Sequence, residues 1–128
     1  MKNKIELNIG LSGMDGRTVH PERVAWVLKE CGFIITASRL CSGTWEGKPE
    51  QALALECLVA LPLCHHECRL AVAVALRRVA ENLMQSCVAV KWPWGVNELI
   101  PPVAAFDPQY WQPVYPVCTS KRESCPEY

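Results

Sequence analysis

The chain has 128 residues, half of them hydrophobic and a fifth charged, which is the size and composition of one globular domain around one core. Thirteen basic residues balance thirteen acidic ones, so no net field draws in phosphate backbones or anionic membranes, and nucleic acid is not an expected partner. The longest apolar run, 52–64, is broken by Glu56 and Pro62 and falls short of the roughly 18 residues that span a bilayer, so no membrane partner is expected. The opening segment 1–8 lacks the apolar stretch of an export signal. These features predict a cytoplasmic protein with reduced thiols, in which Cys31, Cys41, Cys57 and Cys87, placed in or beside apolar segments, act as small buried hydrophobes.

Ile5, Leu7, Ile9 and Leu11 alternate with Glu6, Asn8 and Gly10, the period-two pattern of a strand with one buried face. A glycine-rich loop, 10–16, leads to His20-Pro21-Glu22, where proline and an early acidic residue suit a helix start. That helix is predicted to run to Cys31, with Gly32 as its left-handed cap and Val24, Val27, Leu28 and Cys31 facing the sheet. The run 33–40 reads as a second strand, 42–49 as a hairpin connection, and Ala52 to Leu61 as a third strand antiparallel to the second.

Pro62 ends that strand, and 65–85 is rich in helix formers. Val72, Leu76, Val79 and Leu83 mark the packed face, with Arg77, Arg78, Glu81 and Asn82 on the wet side. Residues 87–92 make a fourth strand. The order βαββαβ is the split motif of an α+β, ferredoxin-like sandwich: a four-stranded antiparallel sheet with two helices on one face. The helix-free face should carry Glu6, Asn8 and Glu56, with Thr36 and Ser38 beside them. The domain is taken as 1–92, followed by an aromatic, proline-rich extension at 93–117 that packs on the domain or on a partner, and a polar tail at 118–128.

The cluster Cys64-His65-His66-Glu67-Cys68 sets two thiols one helical turn apart; a zinc site would need Cys118 and Cys125, or a histidine, to complete a tetrahedron. No other cofactor is expected. Candidate acid, base or polar groups are Glu56, Arg39, His65 and His66, with Glu56 drawn toward Arg39 or Lys91 across the sheet. Gly10, Gly13 and Gly16 would offer backbone amides to an anion, helped by Arg17, although the phosphate-loop lysine and hydroxyl are missing. An RNA-recognition use of the fold is disfavoured, because strands one and three hold no aromatic residue to stack on bases. Trp45 at the hairpin tip, Trp94, Tyr110 and Trp111 are the candidate partner contacts, for another protein or a second copy.

Gly32-Phe33, Ser38-Arg39, the stretch 52–59 and Gln85-Ser86-Cys87-Val88-Ala89-Val90 resemble small uncharacterised proteins of phages and mobile elements. The resemblance implies the fold and a genomic setting, and assigns no catalytic residue. With no coherent catalytic set, the leading expectation is a non-enzymatic binding or regulatory module, an accessory or inhibitor protein of such an element. The alternatives are a small enzyme or small-molecule-binding protein with a pocket between sheet and tail, and a zinc-stabilised interaction domain.

Overall fold

The computed structural model describes residues 3–45 and 47–102. Tyr110, Trp111, Cys118 and Cys125, and the extension from 103 onward, lie outside the described residues. Seven elements follow in order: β1 (Lys4–Gly10), α1 (Pro21–Glu30), β2 (Ile34–Trp45), β3 (Lys48–Leu58), α2 (His66–Asn82), β4 (Val88–Lys91) and β5 (Asn97–Ile100). The protein is α+β, with one antiparallel sheet in the order β2-β3-β1-β4-β5.

The expected four strands are therefore five. After Lys91 the chain does not leave the sheet but turns back on it. Gly95 donates its N–H to the Trp92 carbonyl and Trp92 donates to the Val96 carbonyl, both at 2.9 Å, with Gly95 at φ 88°. This is a three-residue hairpin whose last position requires a left-handed backbone, which glycine supplies without a steric penalty. β5 then pairs with β4 from Asn97 opposite Lys91 to Ile100 opposite Val88. Prolines at 93, 101 and 102 restrict the strand to its four residues but do not prevent it.

Both helices start with a non-helical histidine, His20 and His65, and both end in the same paired-bond motif. In α1, Gly32 at φ 92° donates to Lys29 and Phe33 donates to Leu28, so the expected glycine cap is present. In α2, Met84 donates to Glu81 and Gln85 to Ala80, with Met84 at φ 54° where glycine is usual. The motif turns the Gln85 side chain inward, and its amide nitrogen donates to the Ser12 and Leu83 carbonyls. Met84 also accepts the Met14 N–H at 2.7 Å, so the end of α2 fixes the glycine-rich loop.

Alternation in the strands sends Ile5, Leu7, Ile9, Leu55, Cys57, Val88, Val90 and Ile100 to the helix side, where they join Val24, Val27, Leu28, Val72, Leu76, Val79 and Leu83 in one core. Trp92 belongs to it at 1% exposure, stacked on Trp94 with ring centroids 5.5 Å apart. Arg77, expected on the wet side of α2, is buried, because β4 and β5 widen the covered stripe of the helix. Arg69 is fully buried. Its Nη1 donates to the Leu63 carbonyl at 2.9 Å and the Cys64 carbonyl at 3.3 Å, and the guanidinium lies over Trp94. This pins the loop entering α2 to the β4–β5 hairpin.

Of the four cysteines read as buried, only Cys57 is fully so; Cys31, Cys41 and Cys87 are half-buried, and all four are free thiols. Burial in the core pushes the Cys57 thiol up from 9.0 to about 12. The folded state keeps this proton between those values while the unfolded chain releases it, so stability falls as pH rises from 9, by up to about 1.4 kcal/mol per pH unit. Urea titrations between pH 8 and 11 should show that loss, and a Cys57→Ala variant should show less of it. Equal slopes in the two proteins would remove Cys57 as its source.

Candidate functional site

The helix-free face of the sheet is built of two rows of side chains, fixed by strand register. In one row Ala37 stands opposite Glu56, Glu56 opposite Glu6, Glu6 opposite Lys91 and Lys91 opposite Asn97. In the other, Arg39 stands opposite Ala54, Ala54 opposite Asn8, Asn8 opposite Ala89 and Ala89 opposite Leu99. A bulge between Ile35 and Ala37 sets this parity in β2. It turns Ala37 and Arg39 to the face, since one extra residue reverses every later side chain; of the two expected neighbours Ser38 still borders the hollow and Thr36 does not.

These rows line a hollow of about 520 Å³, within the range that holds a small molecule. Its middle is floored by alanines 37, 54 and 89, which leave room that larger side chains would fill. Each carboxylate of the first row has a lysine partner. Lys91 Nζ lies 3.8 Å from Glu6 Oε2, and Lys4, one step further along β1, donates to Glu56. That hydrogen bond and the charge of Glu56 raise the Lys4 pKa above its ordinary value. Glu56 thus faces the second carboxylate, Glu6, with a lysine behind each, and neither Arg39 nor Lys91 is its partner. The result is a pair of facing carboxylates flanked by two lysines, beside a floor of small apolar residues.

The sequence candidates divide between places. Glu56 and Arg39 line this hollow, whereas His65 and His66 sit at the start of α2 and are not among its lining residues. Cys64 and Cys68 lie beside those histidines, half-buried and free. Burial raises the Cys68 pKa, and the neighbouring Cys64 adds to the effect. Among the described residues no group of three or more histidine, cysteine and acidic side chains is placed to hold a metal. Trp94 rests against Trp92 and the Arg69 guanidinium, and the Trp45 backbone pairs with Lys48 at the tip of the β2–β3 hairpin.

The glycine-rich loop uses its amides on itself. Gly13 donates to the Arg17 carbonyl, Gly16 to Gly13, and Met14 to Met84, while Arg17 pairs with Asp15 at the surface. An anion cradle there would need amides that are already bonded. Ala37, Ala54, Ala89, Asn97 and Leu99 escaped the sequence reading. The parity of Ala54 and Ala89 was visible in the sequence, but the bulge before Ala37 and the strand that carries Asn97 and Leu99 were not, and which residue stands beside which is a property of register.

The architecture defined here is that of an α+β protein with an open, polar-lined sheet face. No protein-family model matches the chain, and no curated protein does. Among solved structures it is similar to a phage SAM lyase in its apo state, with a TM-score of 0.51 and 15% identity over 77% of this chain and 81% of that one. It is also similar to a phage SAM lyase in complex with S-methyl-5′-thioadenosine, with a TM-score of 0.50 and 16% identity over 81% of this chain and 92% of that one. The fold likeness corrects the leading expectation of a non-enzymatic binding or regulatory module: the structures that share this fold are of an enzyme acting on a small molecule. The alternative of a small enzyme or small-molecule-binding protein, with Glu56 and Arg39 among its polar groups, suits these neighbours better. Among the described residues no helix is long and apolar enough to cross a membrane.

Proposed function

We propose that this chain binds S-adenosylmethionine on the helix-free sheet face and cleaves it as a lyase. The observation that carries the reading is the strip Glu56, Glu6, Lys91 and Asn97 beside an alanine floor. The amino-acid end of this substrate is a zwitterion, and paired carboxylates and lysines complement its ammonium and carboxylate. The sulfonium would then lie over the second row, against Asn8, Ala54 and Ala89, in the least polar part of the hollow.

The chemistry asks little of side chains. When the bond between sulfur and the amino-acid chain breaks, the electron pair goes to sulfur and a neutral thioether, S-methyl-5′-thioadenosine, leaves. It needs no proton, so no general acid is required, in keeping with lining residues that include no histidine. The carbon that loses sulfur is satisfied either by the substrate's own carboxylate closing a ring or by loss of a neighbouring proton to a lining carboxylate, Glu6 or Glu56. In the ring-closing route opposite charges vanish together, which a site drier than water favours. The protein's part is to hold the substrate folded so that the reacting atoms meet.

The strand order, with β5 added beside a βαββαβ core, supports a ferredoxin-like assignment. Purified protein incubated with S-adenosylmethionine should release S-methyl-5′-thioadenosine, followed by reverse-phase chromatography, and Glu56→Gln should lower the rate at least tenfold. Binding without release would reduce the protein to a ligand-binding one. Neither binding nor release would end the proposal.

A further inference from the structure

A second hollow, of about 660 Å³, adjoins the first and shares Asn8 and Ala89 with it. We infer that the two form one groove along β1 and that its far end is a nucleoside site in which Glu50 receives the ribose hydroxyls, an inference that rests on the reading above. Three observations carry it.

The first is length. Glu6 and Gly10 are four residues apart on one strand, about 13 Å at the rise of a β-strand. That separation suits a ligand with an amino-acid head at one end and a purine nucleoside at the other. The second is chemistry. The first hollow's charge pairs suit the zwitterionic head, which leaves the uncharged nucleoside for the other end. There Glu50 is the sole carboxylate among the lining residues, and a vicinal diol is a natural donor pair for a carboxylate. The third is placement. Glu50 rests directly on Gly10, where any Cβ would collide with its carboxylate, and the Gln85 side-chain oxygen closes on the same point. Gln85 is itself buried and held by its bonds to Ser12 and Leu83. The carboxylate is thus seated by a glycine below it, with the end of α2 behind.

The placement also explains why β1 ends in glycine. Gly10 has no left-handed backbone to justify it; what it provides is space for Glu50. Gly10→Ala should leave the fold intact, since the obstructing atoms are the end of a flexible side chain, but displace the carboxylate.

The test is calorimetry and amide NMR on the full chain with S-methyl-5′-thioadenosine and its 3′-deoxy analogue. The expected result is that the thioadenosine shifts amides of residues 10–14 and 85–87. Glu50→Gln and Gly10→Ala should each weaken it about tenfold, close to 1.4 kcal/mol, and weaken the 3′-deoxy analogue, which keeps only the 2′-hydroxyl, clearly less. If the ligand binds but its shifts lie only around Glu6 and Lys91, or Glu50→Gln weakens both ligands equally, this inference is overturned while the proposed function stands. If neither S-adenosylmethionine nor the thioadenosine shifts any amide, both fall together.

Discussion

Replacing Trp92 by Ala should destabilise the protein by about 3–5 kcal/mol, a large part of the total stability of a domain of this size. Trp92 is 1% exposed, stacks on Trp94, and donates its indole N–H to Glu98 Oε1 at 3.0 Å. Its backbone also closes the β4–β5 hairpin through Val96 and Gly95. Truncation opens a cavity beneath β5, strands the Glu98 carboxylate and loosens the ring that holds Trp94 over Arg69. In thermal unfolding the midpoint should drop by roughly 10–20 °C. Trp94→Ala, which removes a half-buried ring, should cost clearly less. A Trp92→Ala protein within 1 kcal/mol of the parent would show that β5 contributes little to the sheet.

The second large effect is functional. Ala54 lies in the second row, between Arg39 and Asn8, on the floor of the groove. Ala54→Trp should fill that floor and weaken binding of S-adenosylmethionine at least a hundredfold, about 2.7 kcal/mol. The fold should tolerate the change, because this face is open and tryptophan suits a strand. Circular dichroism and a thermal midpoint within a few degrees of the parent would confirm that the variant is folded. Affinity within tenfold of the parent in such a protein would place the ligand elsewhere.

How much of this was legible beforehand varied with the range of the interaction involved. β1, the start of α1 at Pro21 and the cap at Gly32 could be read directly, because alternation, a proline and a glycine act within a few residues of themselves. Glu6, Asn8 and Glu56 were assigned to the open face from parity alone, and the structure places them there. The fifth strand was missed although Pro93-Trp94-Gly95 carried its turn signal, because the surrounding prolines and aromatics drew attention to composition. The site was only half legible. Nothing local to β2 announces the bulge that turns Arg39 to the face, and nothing in β1 says that Glu6 will stand between Glu56 and Lys91. Those neighbours are 50 and 85 positions away, and such pairings are settled by the whole sheet.

The strand order has a consequence for how the molecule is made. β1 is the first strand of the sheet to be synthesised, yet it lies at the centre, between β3 and β4. While α1 and the β2–β3 hairpin can form from nearby residues as they emerge, β1 waits for Ala52–Leu58 and then for Ala89–Lys91 before both its edges are paired. Closing such long loops precedes most of the energetic return and slows folding relative to proteins with local contacts. The central strand is therefore without a partner until β3 emerges and keeps one open edge until β4 follows, so for much of synthesis it exposes the backbone groups that the finished sheet covers on both sides.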